Sequence, residues 1–247
     1  MPANTDATTT PLFTPADTER IVGAPASTTR RWLEGYAFDH KGERRTKGPR
    51  LGPNATRIDG VLLMSFLDLV EVHMARILRR QGVSWPNIDR AAAFFREAWH
   101  SPHPFALQRF RSDSRSVFVE LGRGIGDNSL LQLGANQFVF DALIEQPLFD
   151  VLDFREDGVP WRLWPRGRDA QVVVDPTRSF GQPVLDAQGV PVRMITAAYA
   201  ANDNRIDRVA RWFDLPAQAV GAAIRYKVLF DQPLRQTANR CRSSGSW

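Results

Sequence analysis

Residues 13–36 read FTPADTERIVGAPASTTRRWLEGY, and this stretch decides the expected fold of the N-terminal part of the chain. Thr14 has a side chain that caps helix N-termini, Pro15 suits the first helical position, and Gly23 is suited to end a helix. The pattern therefore predicts a short helix that stops at Gly23 and, after a tight turn, a second helix from about residue 26 to residue 35. Two helices of this length around a brief turn have the proportions of a helix-turn-helix.

The second predicted helix separates two kinds of side chain by its 3.6-residue period. Its core-facing side carries Thr29, Trp32, Leu33 and Tyr36. Its opposite side carries Ser27, Thr28, Arg30, Arg31 and Glu34. Guanidinium and hydroxyl groups bind phosphates and base edges, so we predict that this helix reads DNA. Its predicted DNA contacts are Ser27, Thr28, Arg30, Arg31 and Tyr36.

The distribution of charge also favours a nucleic-acid partner for the N-terminal third. The 247-residue chain carries a formal net charge of +5 and has a pI of about 10. Residues 26–57 hold eight Lys or Arg against three Asp or Glu, whereas residues 141–157 hold six acidic residues and a single Arg. A basic segment beside a DNA-reading helix is typical of phosphate binding.

Residues 37–57 are basic, are interrupted by Gly and Pro, and hold few apolar side chains. Directly after a DNA-reading helix, such a segment predicts a wing, that is, a hairpin or loop that lays cations along the phosphates. The cations predicted to hold phosphates are Arg44, Arg45, Lys47 and Arg50. A solvated loop without a binding role is the alternative interpretation.

The middle of the chain predicts two long helices and then short strands. Apolar spacing predicts helices over residues 61–81 and 84–99, and their excess apolar surface suggests a face for self-association. Residues 107–111 and 116–121 are predicted as strands, and residues 136–146 as a helix.

Residues 150–165 are predicted as an acidic connector that ends in two tryptophans around an arginine. Trp161, Arg162 and Trp164 have the composition of a partner-binding hot spot. Packing between domains explains the same three residues equally well.

The C-terminal part predicts a trihelical unit behind a short β segment. Residues 172–174 are three valines, and turn residues follow at 175–176 and 180–183. The apolar spacing then predicts helices over residues 192–201, 203–213 and 217–228. Together these elements predict a mainly α protein with small β elements, of the α+β class. The predicted parts are a lead-in (1–12), a winged helix-turn-helix domain with long helices (13–99), a hairpin/helix segment with the acidic connector (100–167), a trihelical domain (168–230) and a flexible tail (231–247).

No set of residues in the sequence predicts catalysis, a metal or a cofactor. Residues 122–126 (GRGIG) place the last glycine one position too early for a dinucleotide-binding loop, which favours a flexible loop. His100 and His103 lack a cysteine or a positioned carboxylate, so they are weak evidence for a metal site. The acidic residues between 145 and 157 have no nucleophile or phosphate-binding loop nearby. We therefore predict a non-enzymatic protein.

The sequence also predicts a cytoplasmic protein. Cys241 is the single cysteine, which rules out an internal disulfide and fits a reducing compartment. The first twelve residues have neither the basic segment nor the apolar core of a signal peptide. The longest apolar run, residues 61–78, is broken by charged side chains and is too polar for a bilayer span.

Two stretches resemble known families. Residues 28–32 (TTRRW) resemble the end of the helix-turn-helix in MerR-like winged-helix proteins. Residues 173–192, with FGQPV at 180–184 and GVPV at 189–192, resemble the antitoxin-associated domain of unknown function 433, which ends in a trihelical tail. The combination is similar to VapB-type antitoxins partnered with PIN-like ribonuclease toxins.

Two positions depart from the family pattern. Pro25 stands at the N-cap of the recognition helix, where the family carries Ser or Thr, so the helix start is expected to shift towards Ser27. Thr29 stands where an apolar residue is usual, so the small core beneath the helix is expected to be looser.

The resemblance implies a DNA-binding antitoxin that silences a cognate PIN-like ribonuclease toxin and represses its own operon. It implies a homodimer or a hetero-oligomer with the toxin, since one helix-turn-helix covers too few base pairs for useful specificity. It places Phe180, Gly181 and Pro183 in the partner-binding surface, beside the tryptophans of the connector. The alternative is a MerR-like transcriptional regulator whose C-terminal region senses a ligand or a partner.

Overall fold

Helices joined by short antiparallel strand pairs make up the part of the chain that the structure describes. The computed structural model describes residues 6–80, 83–110 and 151–231. The helices are α1 (Pro15–Val22), α2 (Ala26–Glu34), α3 (Phe66–Arg80), α4 (Trp85–Trp99), α5 (Val192–Ala201), α6 (Ile206–Phe213) and α7 (Ala217–Asp231). The antiparallel pairs are β1 (Tyr36–His40) with β2 (Glu43–Lys47), β3 (Thr56–Ile58) with β4 (Val61–Leu63), β5 (Leu152–Phe154) with β6 (Pro160–Leu163), and β7 (Val172–Val173) with β8 (Val184–Leu185). The predicted α+β class is confirmed.

The first two helices form where their local signals predict them. The backbone N–H of Thr14 donates to the Asp17 carboxylate (2.8 Å), and the N–H of Asp17 donates to the Thr14 hydroxyl (3.2 Å), which makes a reciprocal cap at the start of α1. Gly23 ends α1 in the left-handed conformation, with φ 68°. The expected shift of α2 towards Ser27 is wrong, because α2 begins at Ala26 with Pro25 as its N-cap.

Thr29 is accommodated in the core by a second threonine. Its hydroxyl oxygen is buried and lies 2.9 Å from the hydroxyl oxygen of Thr18 on α1. Because the Thr18 hydroxyl donates to the carbonyl of Pro15 (2.7 Å), Thr29 is the donor in the pair. The interface between α1 and α2 therefore replaces the usual apolar contact with a satisfied hydrogen bond.

The helix predicted over residues 61–81 is wrong at its start. Residues 61–63 are strand β4, which turns back on β3 through Asp59 and Gly60, both with positive φ. The helix begins only at residue 66, because Ser65 and Asp68 form a capping box. The N–H of Ser65 donates to the Asp68 carboxylate (2.9 Å), and the N–H of Asp68 donates to the Ser65 hydroxyl (3.1 Å).

A first apolar core lies between α3, α4 and the segment that follows them. Its largest fully buried side chains include Phe66, Leu69, Met74, Phe95, Phe105 and Phe110. The prediction of a strand over residues 107–111 is wrong for residues 107–110, which the structure describes. A 3-10 turn at Pro104–Ala106 is followed by helical backbone at residues 109–110. On this path the ring centre of Phe110 lies 5.1 Å from that of Phe105 and 5.4 Å from that of Phe95, both in edge-to-face geometry. An extended strand would separate these rings.

Residues 150–165 do not form the predicted connector in their described part. From Leu152 to Leu163 they fold into the β5–β6 hairpin, and these two leucines are buried in the first core. The hairpin is also tied to the N-terminus, since the Arg155 guanidinium donates two hydrogen bonds (2.8 and 2.9 Å) to the Asp6 carboxylate. This contact holds the pKa of Asp6 well below its usual range. Of its described acidic residues, Glu156 and Asp157 are exposed, whereas Asp153 bonds to Trp164 and Arg168.

A second apolar core fills the space between α5, α6, α7 and the β7–β8 pair. Its buried residues include Val172, Leu185, Ile195, Val209, Val220 and Tyr226. The three helices lie where the sequence predicts them, except that α6 begins at Ile206 because Asp203 and Asn204 adopt left-handed φ values of 53° and 55°. A small cluster of Trp164, Val173 and Val184 lies apart from both cores. The domain limits stay a prediction.

Several predictions concern residues outside the described ranges. They are the strand over 116–121, the glycine-rich loop at 122–126, the helix over 136–146 and the tail from 232 onward. Within the described ranges, no helix is long and apolar enough to cross a bilayer.

Candidate functional site

The predicted DNA-reading residues lie together on the outer side of α2. Ser27, Arg30 and Arg31 are exposed, and Thr28 is half-buried. Arg30 makes no ion pair with any described residue, so its guanidinium is available to a ligand. The Arg31 guanidinium lies 4.0 Å from the ring centre of Tyr36, a cation–π contact that gives this long side chain a defined direction.

A single glycine sets the position of the β1–β2 hairpin against α2. Gly35 ends α2 with φ 77° and ψ −174°, a conformation that is essentially restricted to glycine. Its N–H donates to the carbonyl of Arg31 (3.0 Å). A β-carbon at this position would collide with the backbone oxygen of Lys47 and lie 2.9 Å from the carbonyl carbon of Gly48. The end of β2 therefore approaches α2 as closely as a glycine allows.

The hairpin carries the other predicted phosphate-binding cations. Arg44 is exposed and makes no ion pair among the described residues. Arg45 pairs with Glu43 at 3.1 Å, and the Lys47 ammonium lies 5.8 Å from the ring centre of Phe38. The strand pairing Tyr36↔Lys47 places the end of β2 beside the start of β1, adjacent to α2. A hairpin next to the helix is one of the two forms that the sequence predicts for the wing.

Arg50 differs from the other predicted phosphate-binding residues. Its guanidinium pairs with Asp89 of α4 and lies 4.9 Å from the ring centre of Trp85, so only 16 % of its side chain is exposed. Its backbone N–H donates to the carbonyl of Trp32 in α2 (2.9 Å). Arg50 therefore holds α2 against α4, and Asp89 is too distant in sequence for this role to be recognised beforehand.

The carboxylates on this surface are mostly neutralised within the protein. Glu34 of α2 accepts a hydrogen bond from Arg57 at 2.6 Å, and Glu43 pairs with Arg45. Among the described residues, these pairs leave Arg30, Arg31 and Lys47 without an ion pair, and Arg44 also forms none, although Asp39 stands opposite it in the strand register. A polyanion is the ligand that such a surface attracts.

The connector residues predicted to bind a partner are largely occupied inside the protein. Trp164 is only 7 % exposed, and its indole N–H donates to the Asp153 carboxylate (3.0 Å). Arg162 donates to Asp175 (3.1 Å), and its guanidinium lies 4.0 Å from the ring centre of the half-buried Trp161. Arg162 thus connects β6 to Asp175, and Trp164 is hydrogen-bonded to β5 and packs with Val173 and Val184.

The FGQP loop, defined here as residues 179–183, presents a different surface. Phe180 is 81 % exposed, although it is a large apolar side chain. Ser179, Phe180 and Gly181 have φ values of 48°, 55° and 72°, three consecutive left-handed residues. Gly181 is buried against Phe13, and a β-carbon there would lie 2.5 Å from the Phe13 ring. Gly181 therefore packs the loop against Phe13, while Phe180 is exposed to solvent. Pro183, at the end of the loop, is half-buried.

A buried cluster of ionisable residues was not predicted from the sequence. Asp68 and Glu71 of α3 face His103, whose Nδ1 lies 3.6 Å and 3.5 Å from their carboxylates, and all three are buried. The other ring nitrogen of His103 contacts the amide oxygen of Asn54. Burial raises the pKa of Glu71. The i, i+3 spacing of Asp68 and Glu71 was the available signal, but the histidine is distant in sequence.

The comparisons with known proteins agree with the predicted resemblance. Residues 172–226 match the family described as "Protein of unknown function (DUF433)". The chain is 28 % identical over 204 residues to "Putative antitoxin VapB45" of Mycobacterium tuberculosis. The aligned residues cover 74 % of this chain and 80 % of that protein. The resemblance to a VapB-type antitoxin is thereby confirmed.

A solved structure shows the same fold. The crystal structure of Rv2018 from Mycobacterium tuberculosis matches this chain with a TM-score of 0.68 at 24 % identity, over 87 % of this chain and 98 % of that one. The MerR-like character of the N-terminal part stays a prediction.

Proposed function

We propose that this protein is an antitoxin that binds its own operator DNA and silences a PIN-like ribonuclease toxin. The antitoxin role is supported by the similarity to VapB45 over most of the chain. The observation that supports DNA binding is the surface formed by α2 and the β1–β2 hairpin, where Arg30, Arg31 and Lys47 form no ion pair with a described residue.

In the proposed complex, α2 enters the major groove and the hairpin lies along the phosphates. Ser27, Thr28, Arg30 and Arg31 contact base edges and the nearest phosphates. Arg44, Arg45 and Lys47 supply the phosphate contacts that set the register. Arg50 contributes by fixing the orientation of α2. Two copies are needed for a useful site, so the operator is expected to hold two half-sites.

Replacing both Arg30 and Arg31 with alanine is expected to weaken operator binding by at least about 30-fold, because each arginine that reads a base is worth about 1–3 kcal/mol. Fluorescence anisotropy with promoter DNA from the native operon measures the effect. The matched control is the double variant Arg208→Ala/Arg211→Ala on α6, which removes the same charge from two exposed arginines one helical turn apart. Equal affinities for the two double variants would contradict DNA reading by α2.

The toxin partner is tested by isolating the complex from the native host. The tagged full chain is expected to co-purify with a small ribonuclease, which mass spectrometry identifies. That ribonuclease is then expressed alone, and its RNA cleavage is expected to fall to background when an equimolar amount of this protein is added. Absence of a ribonuclease from the complex, or RNA cleavage that persists at equimolar antitoxin, would show that the proposal is wrong.

A further inference from the structure

A cleft of about 630 Å³ lies between α1 and the C-terminal helices. Its apolar lining comes from Phe13 and Ile21 on one side and from Val192 and Tyr226 on the other. A cleft of this size is in the range that binding pockets occupy. Because α1 packs directly on α2, an occupant of the cleft touches the same helix that supports the proposed DNA-reading helix.

Three cations surround this apolar lining. Arg20 of α1, Arg193 of α5 and Lys227 of α7 all line the cleft and are exposed. Among the described residues, Arg193 and Lys227 make no ion pair, and Arg20 has only a contact of 4.0 Å with Asp17. The Asp17 carboxylate is already occupied in capping α1. Asp17 also lines the cleft, so the cleft combines an apolar interior with a rim of three cations against one carboxylate, which is net positive.

Phe180 stands at the edge of the cleft with a positive φ of 55°, between Ser179 and Gly181, which also have positive φ. A non-glycine residue with positive φ carries conformational strain, and exposure of a phenyl ring adds no stability. The loop is nevertheless held firmly, since Arg178 donates to the Asp186 carboxylate (3.0 Å) and to its backbone carbonyl (2.6 Å). A rigid, exposed aromatic side chain is typical of the anchor of a protein interface.

We propose that this cleft binds an acidic segment of the toxin whose apolar side chains enter between α1 and α5 and whose carboxylates meet Arg193 and Lys227. The proposal rests on the proposed function, and it locates the antitoxin's contact with its partner. Charge complementarity argues for an acidic occupant. Phe180 lines the cleft and is 81 % exposed, and a protein surface covers such a protruding ring more fully than a small molecule inside the cleft does.

The test measures the affinity of the full chain for the ribonuclease that co-purifies with it, by isothermal titration calorimetry. Phe180→Ala and Arg193→Glu/Lys227→Glu are each expected to raise Kd by at least about 30-fold, the effect of losing an interface hot spot. Higher salt should weaken wild-type binding, because it screens the attraction, and should strengthen binding of the charge-reversed variant, because it screens the new repulsion. A lysine in place of the contacting carboxylate on the ribonuclease should restore binding to that variant.

Two matched controls lie away from the cleft. Trp212→Ala removes another exposed aromatic side chain (70 % exposed), and Arg208→Glu/Arg211→Glu reverses two other exposed arginines. Both are expected to bind the ribonuclease within about 3-fold of wild type. All variants should melt within a few degrees of wild type, because every changed side chain is exposed and the ion pairs of Arg208 and Arg211 with Asp203 and Asp207 are surface pairs of small energy.

The outcomes separate the two proposals. Cleft variants that bind the ribonuclease like the wild type overturn the cleft proposal and leave the antitoxin function intact. Charge reversal that weakens operator binding in place of ribonuclease binding also overturns it, because the cations would then serve DNA. If the wild-type chain binds no ribonuclease at all, the proposed function and the cleft proposal are both wrong.

Discussion

Gly35→Ala is expected to lower the free energy of unfolding by about 3 kcal/mol or more and to abolish operator binding. The backbone at Gly35 (φ 77°, ψ −174°) lies in a region that costs another residue about 1–3 kcal/mol. The added β-carbon would in addition strike the backbone at Lys47 and Gly48, which cannot move aside like the end of a side chain. Relief requires the hairpin to move away from α2, at a further cost of about 1–3 kcal/mol.

Gly42→Ala is the control for this prediction. Gly42 also has a positive φ, of 82°, but a β-carbon there meets no atom within 4 Å. This variant carries the conformational penalty alone, on the order of 1–2 kcal/mol, and is expected to keep its operator affinity. Urea denaturation followed by circular dichroism measures the two free energies. If Gly35→Ala destabilises the protein no more than Gly42→Ala, the close approach of β2 to α2 has no energetic importance.

His103→Ala is expected to lower the free energy of unfolding by about 3–5 kcal/mol, because it leaves two buried carboxylates without their partner. Nδ1 of His103 lies 3.6 Å from Asp68 and 3.5 Å from Glu71, and Asp68 also caps α3. Loss of the histidine also vacates volume beside Asn54, which it contacts. His40→Ala, at an exposed position of β1, is the control and should change the free energy by less than about 0.5 kcal/mol.

The same cluster predicts a pH dependence for the His103→Ala variant. The pKa of Glu71 is raised by burial, so the folded protein holds this proton to a higher pH than the unfolded chain does. Stability from this group is therefore present below the ordinary pKa of 4.5 and declines as the pH rises above it. Without His103 the pKa should rise further, so the deficit of the variant should be larger at pH 7.5 than at pH 5. A deficit that is independent of pH would show that the lost stability comes from the cavity alone. A deficit that stays the same at both pH values in the background of Glu71→Gln would show the same.

Local signals in the sequence were sufficient for the helices at both ends of the chain. Thr14 caps the start of α1 and Gly23 its end, through hydrogen bonds to residues only a few positions away. The helices over 192–201 and 217 onward follow from apolar spacing in the same way. The exposed position of Arg30 and the family resemblance of residues 173–192 could likewise be recognised without knowledge of the fold.

Other features depend on which distant residues meet, and only the tertiary structure decided them. Arg50 was predicted to bind phosphate, but Asp89 and Trp85 of α4 occupy its guanidinium. The acidic stretch before Trp164 became a packed hairpin because Leu152 and Leu163 reach the core formed by α3 and α4.

The physical reason for this division is the range of the interactions. A cap or an apolar stripe is determined by neighbours within one or two turns, and the sequence by itself therefore determined α1, α2, the C-terminal helices and the polar face of α2. A charge or an aromatic side chain on a loop has no preferred partner until the chain is folded. The tertiary structure therefore decided that Arg50 pairs with α4 and that Trp164 is buried. It also decided that Asp68, Glu71 and His103 form one cluster and that Phe180 stands exposed beside a cationic cleft.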